Sequence, residues 1–325
     1  MSVGPSVPAP PLGPTDSGQQ TRVEYHQALR AAPGAWRGVL ALLVFLAVAF
    51  LLLVLAVLPV ANLIDAATGA SAPQDPADGT LTMTPGLMLA NNLMLASLVP
   101  VSMLVQWAVF GVRPRWMSSV EGGFRWRWSG RLALVVVPVW IVYVGLVQLL
   151  QPVDGIRLDG TAVAMVTIVL LTSPLQSAGE EYGFRGLVQR STGSWLRDPT
   201  AAFVLSTAFT ALPFALIHLS GDPWSIAAYL AAGIAMSLMV RFSGGLEASV
   251  LVHAVNNVLV LLPVMLAGEA DSILDRGNGT GGPIMLLAVA MMLAVPFLVR
   301  WMARRHGVTV TAPLPPVRTG NARSR

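Results

Sequence analysis

Residues 38–62 read GVLALLVFLAVAFLLLVLAVLPVAN, a run of 25 residues without one charged side chain. As an α-helix rising about 1.5 Å per residue, this run is long enough to cross roughly 30 Å of hydrocarbon. Seven further apolar segments follow, at about 86–111, 131–150, 161–184, 201–220, 224–241, 247–266 and 282–301. The whole chain of 325 residues is 54% hydrophobic and 11% charged, against about 25% charged in an ordinary soluble domain. The fold class is therefore all-α: a polytopic membrane protein with about eight transmembrane helices. The absence of cysteine excludes a disulfide framework, thiol catalysis, iron–sulfur ligation and a thiolate zinc site.

All 20 basic residues are arginine, and the net charge is +4. They lie between the apolar segments rather than in one block, which argues for topology and against nucleic acid as a partner. With the N-terminus inside, 18 of the 20 arginines fall in cytoplasmic loops and tails, leaving only Arg157 and Arg276 outside. Cytoplasmic loops carry this excess, so both termini are expected to be cytoplasmic. Residues 1–36, rich in Pro, Gly and Ser, read as a disordered cytoplasmic tail. They lack the basic start and early apolar stretch of a signal peptide. Residues 37–159 hold the first transmembrane helices, and residues 267–306 the last. Residues 307–325, with Pro313, Pro315 and Pro316, read as a second disordered cytoplasmic tail.

Charge at membrane depth costs roughly 2.5–3.5 kcal/mol per residue even on insertion scales, so each such group needs a partner or a role. Glu180 and Glu181 are the only acids inside a segment rather than at its edge, and His218 and His253 are the only histidines there. Four residues apart on a helix, Glu181 and Arg185 share a face and can form an ion pair, whereas Glu180 points about 100° away. His253 and Asn257 likewise share a face and project two neutral donors together. Plainer readings exist for each. The two glutamates could mark a membrane interface, and each histidine could hydrogen-bond a neighbouring helix.

Taken together, the groups amount to more. A carboxylate beside an imidazole can hold and deprotonate water, while a second imidazole and an amide can donate to the oxyanion formed when that water attacks a carbonyl. The same residues also allow a two-histidine, one-carboxylate zinc site on Glu180, His218 and His253, although no H-E-x-x-H helix is present.

The pattern E-E-x-x-x-R (Glu180, Glu181, Arg185), F-x-x-x-H (Phe214, His218) and H-x-x-x-N (His253, Asn257), in order on three apolar segments, resembles the CPBP family. That family comprises the type II CAAX prenyl endopeptidases and the bacterial abortive-infection and bacteriocin-immunity proteins. The resemblance makes residues 160–266 a catalytic core. It implies an intramembrane endopeptidase of the bacterial plasma membrane, metallo- or glutamate-dependent, whose partners are membrane lipid and a peptide or protein substrate, with CAAX-type processing as one activity. Carried over by position, Glu180 and His218 would activate water, and His253 and Asn257 would stabilise the oxyanion. Glu181, Arg185 and Phe214 would support them. The preferred mechanism needs no cofactor, with zinc as the alternative. A noncatalytic immunity or scaffold protein and a proton-coupled transporter are the competing functions, the latter weakened by the lack of an inverted repeat.

One expectation conflicts with simple threading. Glu180 falls near the cytoplasmic end of its segment and His218 some 17 residues into the next one. To bring them together, the chain must break at Pro213, the fourth segment must run deeper, or residues 186–200 must dip back into the membrane.

Overall fold

The computed structural model describes residues 22–73, 80–153, 155–275, 277, 279 and 281–318. Among them are eight helices long and apolar enough to span a membrane: α1 (Ala35–Thr68), α2 (Pro85–Phe110), α3 (Trp126–Leu150), α4 (Gly160–Gly193), α5 (Pro199–Leu216), α6 (Pro223–Ser243), α7 (Glu247–Ala267) and α8 (Met285–Arg305). The protein is an integral membrane protein of the expected all-α class. Its large apolar side chains face outward as readily as inward. Leu43, Phe50, Leu63, Leu134, Leu149, Leu171 and Phe297 are all exposed, as the surface of a bundle solvated by lipid tails requires.

The helix boundaries follow from local chemistry. Thr84, Asp159, Asp198 and Asp222 each accept a hydrogen bond from a backbone N–H in the first turn of α2, α4, α5 and α6. Except in α4, a proline occupies the next position, where its missing N–H costs nothing. Gly244 closes α6 in the left-handed region at φ +68°, a conformation that favours glycine.

Helix α4 lies between α2 and α7 and packs extensively against both. Gly179 makes the approach to α2 possible, because a Cβ there would overlap the carbonyl oxygen of Leu95. One apolar cluster includes Phe45, Phe110, Met117, Tyr182, Leu187 and Leu246, and a second includes Trp128, Trp140, Met236, Met239, Val252 and Met302. The start of α7 is anchored by Glu247, which takes a bidentate ion pair from Arg125 at 2.8 Å on each side. That anchor fixes the axial position of the histidine that follows on α7.

Two expectations change at the ends of the chain. Residues 22–34 are folded rather than loose. Strand β1 (Arg22–Glu24) pairs antiparallel with β2 (Thr311–Pro313), and the following 3-10 turns bury Tyr25, His26, Gln27 and Leu29. Part of the C-terminal tail is therefore held as well, and the two ends of the described chain lie together. Apolar contacts of Tyr25 and Leu29 in the first cluster supply the stabilisation that the Pro-rich composition concealed. Residues 1–21 and 319–325 of the expected tails, together with Arg276, lie outside the described residues.

The fourth helix corrects the threading problem. It does not stop near residue 184 but continues through a π-helical stretch, Tyr182–Val188, and a last α-helical turn to Gly193. At 34 residues it spans about 50 Å, so Glu180 lies well inside it. Pro213 does not break α5, which runs on to Leu216.

Candidate active site

Helix α4 presents Gln176, Ser177, Glu180, Glu181 and Arg185, which at three- and four-residue spacing form one broad face turned inward. The π-helical stretch begins directly after Glu181. Such turns are rare and recur at functional sites.

Glu181 and Arg185 form the ion pair expected from their spacing, at 3.0 Å, with both side chains fully buried. The same oxygen, Glu181 Oε1, accepts from His253 Nδ1 at 2.9 Å. Arg185 also donates to the carbonyl of Gly233 at 3.0 Å, and its guanidinium lies 4.8 Å from the centre of the Phe214 ring. A buried charge pair is tolerable only with such additional partners.

Glu180 points elsewhere, as the helical geometry requires. Its Oε1 accepts from the Gln176 amide, one turn earlier. Its Oε2 is buried without a hydrogen-bond donor among the described residues and faces His253 Nε2 at 3.6 Å. The His253 imidazole thus stands between the two carboxylates. Because a carboxylate only accepts, Nδ1 carries the proton shared with Glu181, and Nε2 is turned to Glu180.

His218 lies just beyond the end of α5. Its Nδ1 is 2.6 Å from the Phe214 carbonyl, which can only accept, so Nδ1 donates. The ring stacks on Tyr229 at 3.8 Å and lies 4.9 Å from the Phe214 ring. Phe214 meets His253 as well, at 5.9 Å. One phenyl ring therefore touches both histidines and the supporting arginine.

Asn257 shares the His253 face of α7 but turns to α4. Its amide donates to Gln176 Oε1 at 3.1 Å and to Ser177 Oγ at 3.3 Å. Asn256 accepts from Trp140 at 3.2 Å. The structure thus brings Glu180, Glu181, Arg185, Phe214 and His253 into one cluster, with Asn257 linked to Glu180 through Gln176 and His218 joined through Phe214. The residues that sequence reasoning missed are Gln176 and Ser177. Their signal was present: they precede Glu180 and Glu181 by four positions each.

Among the described residues, no three His, Cys, Asp or Glu side chains converge so as to hold a metal ion. Of the alternative ligand set of Glu180, His218 and His253, Glu180 Oε2 and His253 Nε2 face each other at 3.6 Å, while His253 Nδ1 is held by Glu181.

Residues 161–259 match the family model of the Rce1-like type II CAAX prenyl endopeptidases. The matched stretch, about a third of the chain, is what is similar to this family. The match begins at the start of α4, ends within α7, and contains every residue of the cluster. No curated protein and no solved structure matches the chain. The Rce1-like family is a protease family, and the three motifs lie within its matched span.

Proposed function

We propose that this protein is an intramembrane endopeptidase in which Glu180 activates a water molecule against a peptide carbonyl. The observation that carries this reading is the unshared Glu180 Oε2, buried and facing an imidazole whose other nitrogen is held by Glu181. In the proposed step, water bound to Glu180 Oε2 on the His218 side of the site gives one proton to Glu180 as its oxygen bonds to the carbonyl carbon. The resulting oxyanion is held by Nε2–H of a protonated His253, whose Nδ1–H stays on Glu181, and by Asn257 once one of its amide hydrogens leaves Gln176 or Ser177. Collapse breaks the C–N bond, and Glu180 returns the proton to the leaving nitrogen, so the net reaction consumes one water. Glu181 and Arg185 act as positioning residues that fix the orientation of His253 and hold its Nδ1–H. Phe214 sets its depth.

The substrate proposed from the family match is a C-terminal peptide of the prenylated CAAX type, reached from the cytoplasmic face of a bacterial plasma membrane. The arginine distribution supports placing both chain ends on that face. No step requires a metal.

The test is cleavage of a membrane-peptide panel, including prenylated CAAX peptides, by purified protein in detergent. Wild type is expected to cleave at least one peptide and to keep its rate in chelator, and Glu180→Gln to abolish turnover while unfolding at an unchanged temperature. A folded Glu180→Gln variant that retains the wild-type rate would overturn the mechanism. Loss of activity on chelation, restored by zinc, would overturn its metal-free form.

A further inference from the structure

Away from the catalytic cluster, a groove of about 270 Å³ opens where the chain enters the bundle, between the N-terminal 3-10 turns, the start of α1 and the end of α4. Its polar lining consists of side-chain donors, from Arg30, Arg197, Ser191, Ser194 and Trp195. Arg30 and Arg197 contribute guanidinium groups, and neither has an ion pair or side-chain hydrogen bond among the described residues. Ser191 is 1% exposed, and its hydroxyl has no partner among the described residues; Ser194 Oγ and Trp195 Nε1 are buried atoms without partners among them as well. The first residues of α1 complete the wall. That helix begins after Gly34, at φ +126°, with no side-chain cap, so its free N–H groups and positive dipole end belong to the same groove.

No acidic side chain lines the groove. The nearest acid in sequence, Asp198, is used to cap α5 through Ala201 N at 2.7 Å. Burying the three unpaired donors of Ser191, Ser194 and Trp195 costs free energy, each of order 1–3 kcal/mol. A multiply accepting anion would satisfy them together.

We propose that this groove binds the phosphate of an anionic phospholipid headgroup. Three helix ends meet there, those of α1, α2 and α4, so it lies at a membrane boundary rather than within the bundle. Leu29 and Phe110 form an apolar part of its lining, and the exposed face of α1 begins beside it with Val39, Leu40 and Leu43. A headgroup seated on the arginines and hydroxyls can therefore continue as acyl chains along α1, which a free phosphate ion does not use. The exposed Trp36 at the same level is the kind of side chain that marks a headgroup region. The proposal is independent of the peptidase reading, since none of these residues belongs to the catalytic cluster.

The experiment is native mass spectrometry of delipidated protein in neutral detergent, titrated with phosphatidylglycerol, with phosphatidylcholine, and with phosphatidylglycerol plus inorganic phosphate. Wild type is expected to retain phosphatidylglycerol in preference to phosphatidylcholine. Arg30→Gln/Arg197→Gln should weaken it at least about tenfold, as loss of charge-assisted contacts does. The equally charge-reducing Arg127→Gln/Arg131→Gln, on the exposed start of α3, should leave it unchanged. Should the first double variant fail to fold, Ser191→Ala decides, with binding expected to weaken about threefold or more. Equal binding of the two lipids, wild-type affinity in the groove variants, or full displacement by equimolar inorganic phosphate would each overturn the proposal.

Discussion

Phe184 on α4 and Phe214 on α5 meet edge to face with ring centroids 5.6 Å apart, and this contact fixes the relative depth of the two helices. Farther along, Trp195 meets Phe209 at 5.7 Å, so the helices run antiparallel. One turn back from Phe184 is Glu180, and one turn on from Phe214 is His218. The two steps go the same way, which brings a glutamate and a histidine 38 positions apart in sequence to one level of the bundle.

Phe214→Ala is therefore expected to damage stability and activity together. The ring is buried and touches Phe184, Arg185, His218 and His253. Removing a buried phenyl group typically costs about 3–5 kcal/mol. Phe214→Leu should recover most of the thermal stability in detergent but less of the cleavage rate, because it refills volume without restoring the ring contacts. Full activity in Phe214→Ala would show that depth is set by something else.

The two adjacent glutamates should separate cleanly by phenotype. Glu181→Gln leaves the buried Arg185 without its charge partner, and breaking such a pair costs about 3–5 kcal/mol. It should lower the unfolding temperature markedly. Adding Arg185→Met should recover part of that loss, since the uncompensated charge is then gone. Glu180, whose second oxygen has no donor to lose, should tolerate Gln thermally. A Glu181→Gln variant as stable as wild type, with no coupling to Arg185 in the double-mutant cycle, would contradict this account.

The parts of this arrangement that could be read from sequence are those set by local rules. The eight spans are visible because each is an apolar run, and the Glu181–Arg185 pair because four residues make one turn. The continuation of α4 past residue 184 was hidden by Arg185, Gln189 and Arg190, which look like loop residues until tertiary partners bury them. His253 and Asn257 were correctly placed on one face. That Asn257 serves Gln176 and Ser177, and that His253 lies between both glutamates, depends on how α7 packs against α4, and no spacing within either helix encodes that. The pairing of Arg22–Glu24 with Thr311–Pro313 joins segments nearly 290 residues apart, beyond any local signal.

The N-terminal turns should make stability pH-dependent through His26. Burial pushes the His26 imidazole below its ordinary value of 6.5, although Glu24 nearby opposes the shift. Its Nε2 lies 3.1 Å from the Pro199 carbonyl, a contact in which it donates. The unfolded chain therefore binds a proton more readily than the folded one below about pH 6.5. The contribution is complete above that pH and is lost as pH falls toward the lowered folded value. Thermal unfolding between pH 7.5 and 5 should show a decline in wild type that is shallower in His26→Gln. Identical slopes would mean that other groups govern the acid limb.

Gly179 offers the most local test of how the site is held. It immediately precedes the two glutamates, and a Cβ added there would overlap Leu95 O and come within 3.1 Å of the Ala96 Cα. Both are backbone atoms of α2, so no rotamer change can relieve the contact. Gly179→Ala must separate α2 from α4 or rotate α4, and overpacking of this kind costs about 1–3 kcal/mol. Rotation would turn Glu180 away from His253, whereas simple separation would not. The expected result is a lower unfolding temperature with a larger fall in kcat than in substrate affinity. A variant that loses stability yet keeps the wild-type kcat would show that α2 and α4 can part without disturbing the face that carries the glutamates.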